Sequence, residues 1–196
     1  MKKLSKYIIV LALLCLVTGC GKKEIADTDQ VSTIKVEKKG AVEGTIIEDF
    51  DEPYYDEKEL EEKIDQTISE YNGTAGKNHV ELKECKKIEN AVSVVIRYET
   101  SEDYKDFNHV DFFYGTISEA YDAGYDLNLT LTEVKSGAKA GKEDLMAMGD
   151  KHIVITSEQE RISCYDNILY TGDGMTIVND KEADNTNSEG YGIIIF

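Results

Sequence analysis

The sequence predicts an α+β fold in which an antiparallel β-sheet carries one long helix and one or two short helices on a face. Short apolar runs typical of strands recur between turn signals, most densely near the C-terminus (HIVITS, RISCY, NILYT, MTIVN and YGIIIF). One stretch in the first half shows instead the four-residue apolar repeat of an amphipathic helix. Because strands dominate and helical patterns occur singly between them, an α+β arrangement is favoured over a parallel α/β sheet.

The N-terminal residues have the layout of a secretory signal. Lys2, Lys3 and Lys6 precede an uninterrupted apolar run, YIIVLALLCLV, over residues 7–17. As a helix this run reaches roughly 16 Å, whereas the hydrocarbon core of a bilayer is roughly 30 Å thick. The sequence therefore predicts a signal peptide and not a permanent transmembrane helix.

The end of this run is more specific. Residues 17–20 read Val-Thr-Gly-Cys, which resembles the bacterial lipobox. The resemblance implies a bacterial lipoprotein, of the surface type found in Gram-positive bacteria, that is cleaved after Gly19. It also implies that Cys20 becomes the lipidated mature N-terminus at the outer face of the cell membrane. Two acyl chains, such as palmitate, give the stable anchoring that a single chain does not.

These signals divide the chain into three segments. Residues 1–19 are the predicted signal peptide, 20–33 the lipidated N-terminus and a flexible tether, and 34–196 a single α+β domain. The polar stretch 21–32 would span about 20 Å as a flexible coil, so the domain is expected close to the membrane. A domain of this size buries about 70% of the surface of its unfolded chain, which is enough for one core.

The first half of the domain predicts two hairpins and the long helix. TIKVEKKGAVEGTII alternates apolar and polar residues about the Lys39-Gly40 turn, as a β-hairpin does. The helix covers 56–71, with Asp56 as N-cap, a capping box to Glu59 and a predicted end at Asn72-Gly73. HVELKECKKI and NAVSVVIRYET then predict two antiparallel strands that turn near residues 89–90.

The second half begins with an aromatic-rich connection over residues 104–114. The tetrad 116–119, from Thr116 to Glu119, is a capping box that predicts a short helix ending at Gly124. LNLTLTEV predicts a strand over 127–134, residues 143–148 a turn of helix, and the C-terminal runs several more strands.

The charge balance constrains the partners. The formal net charge is −17, and removal of residues 1–19 takes away three lysines and no acids, which leaves about −20. Such a charge opposes binding to nucleic acid and to anionic polymers, and it attracts cations or basic partners. We interpret the acidic residues chiefly as a solvated surface, and we expect no nucleic-acid partner.

Two cysteines remain in the folded domain once Cys15 is removed and Cys20 is lipidated. Cys85 and Cys164 each lie in a predicted strand, and an exported protein permits a disulfide between them. The favoured interpretation is two separate, buried apolar side chains, with the bridge as the alternative. Neither belongs to a C-x-x-C pair, so a thioredoxin-like or zinc role has no support.

No catalytic, cofactor or metal motif is found. None of the histidines, His79, His109 and His152, has H-E-x-x-H spacing, and G-x-S-x-G, P-loop and G-x-G-x-x-G patterns are absent from the sequence. Cys164, His152 and Asp166 can be combined as a thiol triad only if the fold brings them together. We therefore predict no catalytic residues and no cofactor.

An acidic segment near the C-terminus offers a weak cation site. Residues 180–191 (DKEADNTNSEGY) lack the Gly and Glu that an EF-hand needs at its sixth and twelfth positions. A looser site would use the carboxylates of Asp180, Glu182, Asp184 and Glu189. An exposed acidic loop between two strands is the favoured interpretation, and no metal site is predicted.

Aromatic residues cluster around two predicted loops, which keeps a recognition role open: Tyr54, Tyr55, Tyr104, Phe107, Phe112, Phe113, Tyr114, Tyr121 and Tyr125. Tyrosine has an apolar ring with a polar tip and suits interfaces. The favoured interpretation is that the phenylalanines belong to the core and the tyrosines seal its edge.

Three functional hypotheses follow. The leading one is a non-enzymatic lipoprotein that is held on the membrane by its lipid and binds a protein or peptide partner of the cell envelope, or serves an envelope complex as an accessory module. The second is an extracytoplasmic enzyme such as an envelope hydrolase. The third is a low-affinity cation-binding surface protein.

Overall fold

A computed structural model of the chain describes residues 31–188 and 190–196. The predicted signal peptide, Gly19, Cys20 and most of the predicted tether lie outside the described residues. The described part contains four helices: α1 (Glu57–Ala75), α2 (Ser101–Asn108), α3 (Ile117–Asp122) and α4 (Lys142–Ala147). None of these helices is long and apolar enough to cross a membrane.

The strands of the same part are β1 (Thr33–Val36), β2 (Val42–Asp49), β3 (Val80–Ile88), β4 (Ala91–Tyr98), β5 (Phe112–Thr116), β6 (Leu131–Glu133), β7 (Lys139–Ala140), β8 (His152–Thr156), β9 (Arg161–Cys164), β10 (Tyr170–Thr171), β11 (Thr176–Asn179), β12 (Glu182–Asp184) and β13 (Gly192–Ile195). The predicted α+β class, with one long helix, is confirmed. The strands are divided between two sheets, and three short helices accompany the long one.

The first sheet has the strand order β11-β12-β9-β1-β2-β4-β3. Both hairpins predicted from the sequence are present, since β1 pairs with β2 and β3 pairs with β4, each antiparallel. β1 also pairs with β9, and this pair is parallel, with Ile34 opposite Ile162. The fold begins inside the predicted tether: β1 starts at Thr33, and the Ser32 hydroxyl accepts a hydrogen bond from the Ile47 N–H at 3.0 Å.

The second sheet has the order β5-β8-β13-β10-β6-β7, and its strands β8 and β13 bury side chains on both faces. Because side chains alternate along a strand, Ile153 and Ile155 of β8 face one side and Val154 faces the other. Val154 belongs to the core shared with the first sheet and α1, together with Ile194 and Phe196. Ile153 and Ile155 belong to a separate core that α3 and α4 cover through Ile117 and Leu145.

The long helix begins as predicted and ends later. Asp56 accepts a hydrogen bond from the Glu59 N–H at 3.0 Å, and Ile64 and Ile68 are buried. The helix does not end at Asn72-Gly73 but continues to Ala75, and Gly76 then takes the left-handed conformation with φ 79°. A glycine inside a helix costs only about 1 kcal/mol, so Gly73 weakens the helix without ending it.

The aromatic connection predicted for residues 104–114 is wrong, because this stretch contains the last five residues of α2 and the first three of β5. Thr100 caps α2, with Asp103 completing a capping box, and His109 ends it in the left-handed conformation with φ 57°. The short helix α3 is present as predicted, capped by Thr116 and Glu119.

Two further segments differ from the sequence prediction. Only Leu131–Glu133 of the predicted strand 127–134 is a strand. Conversely, the expected acidic loop contains β12, which pairs with β9 and places Ala183 opposite Ile162 in the core. Glu182, Ala183 and Asp184 alternate polar and apolar side chains as a strand does. The only apolar residue among them is alanine, which has little preference for strands, so the sequence did not predict β12.

Candidate functional site

The thiol triad considered from the sequence is not formed. The Cys164 thiol is buried and donates to the backbone carbonyl oxygens of Asp166 (3.0 Å) and Lys181 (3.5 Å). His152 Nδ1 lies 3.2 Å from the hydroxyl of Tyr165 instead. Burial raises the pKa of the Cys164 thiol to about 12, so the nucleophilic thiolate is scarce at neutral pH.

The two cysteines of the domain are both free, as the favoured interpretation predicted. Cys85 is half-buried in β3 and Cys164 is buried in β9. Burial, with nearby acids of α1 such as Glu61 and Glu57, raises the pKa of the Cys85 thiol to about 11.

The other two histidines have structural partners. His79 Nδ1 lies 3.0 Å from the Asp103 carboxylate, which also accepts hydrogen bonds from Tyr71 and Thr100. His109 is the C-terminal cap of α2. His109 also lines a second open cavity of about 440 Å³ with Asp106, Asp111 and Ser157. The Ser157 hydroxyl donates there to the Asp111 carbonyl oxygen at 3.3 Å and not to the His109 ring.

The loose cation site is not supported by the described carboxylates. Arg161 lies 3.7 Å from Asp184, whose carboxylate also accepts a hydrogen bond from the Thr186 N–H. Glu182 accepts a hydrogen bond from the Asn179 side chain, and Glu189 is outside the described residues. Among the residues that the structure describes, no group of three His, Cys, Asp or Glu side chains is placed to hold a metal ion.

Most of the clustered aromatics belong to the two cores. Tyr104 and Phe112 are buried, and Tyr55, Phe107, Tyr114, Phe113 and Tyr125 are partly buried against the cores. Tyr54 and Tyr121 are the exposed members, at 73% and 49%. The favoured interpretation therefore holds only in part. Phe112 belongs to the core as expected, but Tyr104 is buried with it, and Phe107 and Phe113 are only partly buried.

Tyr114 lines an open cavity that we call the edge pocket. Its volume is about 440 Å³, and it is lined by residues 39–40 of the β1–β2 turn, 99–102 at the start of α2, 113–115 of β5, Glu119 and His152. Volumes of this size are typical of ligand sites. Phe113 and Tyr114 are neighbours in a strand, so their side chains point to opposite faces of the sheet. Since both line the same cavity, the pocket opens around the edge of β5.

An aromatic stack forms one wall of the edge pocket. The rings of Tyr114 and His152 are stacked with centroids 5.4 Å apart and an interplanar angle of 11°, and Phe196 stacks on His152 at 5.9 Å. The Tyr114 hydroxyl lies 3.5 Å from that of Tyr165, which in turn contacts His152. Gly40 lies beneath this wall, since a Cβ at that position would be 3.6 Å from the Tyr114 ring.

The pocket is acidic at its rim. Glu99, Glu102 and Glu119 line it with a single cationic side chain, Lys39. Hydrogen bonds from the Thr116 N–H and hydroxyl hold the pKa of Glu119 below its usual range, so this carboxylate is ionised at neutral pH. Burial, with the Tyr165 hydrogen bond, raises the pKa of Tyr114, so its phenol stays neutral.

Sequence reasoning found only part of this site. Tyr114 and Phe113 were among the clustered aromatics, and His152 was singled out for a different partnership. Glu119 was explained as a helix cap, which it is, and nothing in the sequence placed Lys39 or Glu102 beside it. The one sequence feature that could have indicated this site is the run FFYGT over residues 112–116, which is aromatic and uncharged.

Comparison of the chain with protein-family models gives no match. Comparisons with curated proteins and with solved structures also give no match.

Proposed function

We propose that this chain is a lipoprotein, anchored through Cys20 at the outer face of the cell membrane, that binds a partner of the cell envelope at the edge pocket without catalysing a reaction. The main observation in favour of binding is that Phe113 and Tyr114 both line the edge pocket. Side chains on opposite faces of a sheet meet in one cavity only where the strand edge is accessible.

The chemistry of the pocket supports binding more than hydrolysis. His152 packs against the rings of Tyr114 and Phe196, which also contact each other, and it pairs with the hydroxyl of Tyr165. Cys164, the nucleophile of the thiol triad considered for a hydrolase, is bonded to backbone carbonyls. The pocket offers aromatic surface and carboxylates, which suit recognition of a polar partner.

Anchoring is supported by the sequence around Cys20. The positive N-terminal residues, the short apolar run and the Val-Thr-Gly-Cys match together define the processing route. A tether that spans about 20 Å would hold the domain, and with it the edge pocket, near the membrane surface.

The anchoring is tested with Cys20→Ser. We expect the parent protein in the membrane fraction at mature length, and the variant in soluble or unprocessed fractions. A variant that still partitions with membranes at mature length would show that Cys20 is not the lipid site.

The binding role is tested by site-specific photocrosslinking in intact cells. A photoreactive amino acid is placed at Glu102, in the edge pocket, and as a control at Lys58, whose side chain is 83% exposed on α1. We expect a defined adduct from position 102 only, and its loss when Tyr114→Ala is added. Equal adducts from both positions, or none from position 102, would contradict binding at the edge pocket.

A further inference from the structure

We propose that the free edge of β5 binds an extended peptide segment carrying a basic side chain, which adds to the second sheet as a further strand. This inference rests on the proposed binding role of the edge pocket and names the class of partner. It follows from the backbone of β5, from a comparison of the sheet edges and from the charges around the cavity.

The backbone of β5 has unpaired groups on the side away from β8. The Ser157 N–H donates to the Asp111 carbonyl, and the Ile117 N–H donates to the Lys151 carbonyl, both at 2.9 Å. In an antiparallel pair the residues bonded to the partner alternate. Odd-numbered residues of β5 therefore face β8, and Phe112, Tyr114 and Thr116 direct their N–H and C=O groups away from β8. Phe112 is buried, so the accessible part of this edge runs from Tyr114 to Thr116.

One of these groups is already occupied. The Thr116 N–H donates to the Glu119 carboxylate at 2.7 Å, which closes the end of the strand. The N–H and C=O of Tyr114 lie in the part of β5 that lines the edge pocket. An added strand would thus form its central hydrogen bonds at Tyr114, where the cavity provides the space.

The other sheet edges of the described part carry protective features that β5 lacks. β3 has three lysines, Lys83, Lys86 and Lys87, and a register shift after Leu82. β11 has a register shift between Ile177 and Asn179, and β7 is only two residues long. Lysines, bulges and short strands are the means by which proteins block pairing at sheet edges.

β5 combines five uncharged residues, FFYGT, with an unbroken register against β8. An edge strand that has no charged residue, no bulge and more than a few residues can pair with another strand. Phe113 and Tyr114 would pack against alternate side chains of that strand, one on each face of the sheet. The hydrogen bonds would supply affinity, and the rings would select side chains.

The charges favour a basic segment. Glu99, Glu102 and Glu119 outnumber Lys39 around the cavity, and the mature chain as a whole carries about −20. The N-terminus of α2 has a partial positive charge, but the carboxylate of Asp103 accepts the Thr100 N–H there and offsets it. A lysine or arginine of the added strand would therefore find carboxylates on both sides of the edge pocket.

The experiment uses the purified lipidated protein in detergent micelles and three peptides. Each peptide carries fluorescein at its N-terminus: the probe is TVKVTKVT-NH₂, the charge control is TVEVTEVT-NH₂, and the backbone control is the basic peptide N-methylated at four consecutive central residues. N-methylation removes the N–H donors of the peptide but keeps its side chains. Binding is followed by fluorescence anisotropy, and amide hydrogen exchange is followed at single-residue resolution by mass spectrometry.

We expect the basic peptide to bind and to slow exchange of the Tyr114 amide about tenfold or more, because a free amide becomes hydrogen-bonded. The Phe113 amide faces β8 already and is expected to be unchanged. The acidic and N-methylated peptides should bind at least about tenfold more weakly. Glu99→Gln and Glu102→Gln should each weaken the basic peptide severalfold, whereas Glu57→Gln, on exposed α1, should not.

Four results would overturn the proposal. Binding of the N-methylated peptide as tight as that of the parent, or an unchanged Tyr114 amide, excludes strand addition. Equal binding of the acidic peptide excludes the basic preference. No binding of the basic peptide up to about 1 mM excludes the peptide class. In each case a position-specific adduct from residue 102 still supports the binding role, so the two proposals fail separately.

Discussion

The hydroxyl of Tyr104 donates a 2.5 Å hydrogen bond to the carboxylate of Glu158, which joins α2 to the segment that links the two sheets. Glu160 lies two residues further along the same segment. Burial, with the charges of Glu158 and Glu48, raises the pKa of Glu160 to about 8. Burial also raises the pKa of Glu158, and the Tyr104 hydrogen bond only partly offsets this.

The first prediction concerns pH. A carboxyl whose pKa is higher in the folded state than in the unfolded state stabilises the fold while protonated, and this contribution is lost as the pH rises toward the folded value. Between pH 5 and pH 8 the free energy of unfolding should therefore fall by as much as about 3 kcal/mol through Glu160, at about 1.4 kcal/mol per pKa unit. Urea unfolding at several pH values measures it.

Glu160→Gln isolates the contribution of this carboxyl. The variant should be more stable than the parent at pH 8 and should lose most of the pH dependence between pH 5 and pH 8. Glu143→Gln changes an exposed carboxyl on α4 and should leave the dependence intact. A parent protein whose stability rises over this range would contradict the prediction.

The second prediction concerns Asp103, where α1, α2 and the segments that contain His79 and Thr100 meet. Its carboxylate accepts hydrogen bonds from the Tyr71 hydroxyl at 3.0 Å and from the Thr100 N–H and hydroxyl at 3.1 and 2.7 Å, and it contacts His79. Burial alone would raise its pKa, but these partners hold the pKa below its usual range. The stabilisation is present above pH 4 and is lost as the pH falls through the folded pKa.

Asp103→Asn should lower the free energy of unfolding by about 2 kcal/mol or more, because it removes a helix cap and leaves buried donors facing an amide. Asp106→Asn, on the exposed side of α2, should change it by less than about 0.5 kcal/mol. Chemical unfolding at neutral pH compares the two. If the two variants lose the same free energy of unfolding, the hydrogen bonds to Asp103 add nothing to stability beyond the effect of its charge.

The parts of the fold that were predicted from the sequence are those that depend on residues close together in the chain. The N-cap of α1, the Lys39-Gly40 hairpin and the Thr116 capping box each depend on residues within four positions, and each is present in the structure. α2 was missed because its aromatic residues hide the Thr100–Asp103 cap and the helix has only eight residues. A short helix of this kind is stabilised by packing and not by its own propensity.

Long-range pairing was not predictable. The parallel pair of Ile34 with Ile162 joins distant parts of the chain, and no local residue pattern specifies it. The same reason applies to the edge pocket, since β5 is an edge strand only because of the order in which the other strands assemble. Glu119 illustrates the limit: its cap role is readable locally, and its place beside His152 is not.

The third prediction compares two glycines. A Cβ on Gly192 would lie 2.5 Å from the Asn185 side chain, which is fully buried and donates to the Glu158 carbonyl at 2.7 Å. Gly73 in α1 has nothing within 4 Å of its Cβ position. The same substitution should therefore have opposite effects at the two sites.

Gly192→Ala should destabilise the protein by about 2 kcal/mol or more, because Asn185 must move and leave a buried hydrogen bond. Gly73→Ala should stabilise it by about 0.5–1 kcal/mol, because alanine favours the helix. Thermal and urea unfolding measure both. A destabilising Gly73→Ala would show that α1 ends near the Asn72-Gly73 position after all.

The last prediction concerns the thiols. The proposed processing would remove Cys15 and place the Cys20 sulfur in a thioether, so the denatured mature protein should show two reactive thiols, Cys85 and Cys164. In the native protein both should react slowly at pH 8, because their pKa values of about 11 and about 12 leave little thiolate and burial restricts access. Labelling with a disulfide reagent, with and without denaturant, measures this.

Cys85→Ala and Cys164→Ala assign the two reactions. Half-buried Cys85 should react faster than Cys164 in the native protein, and each variant should lose one thiol in denaturant. Four reactive thiols would show that the N-terminus is neither cleaved nor lipidated. The absence of both thiols in denaturant would show a Cys85–Cys164 disulfide, which contradicts the separate positions of the two side chains in β3 and β9.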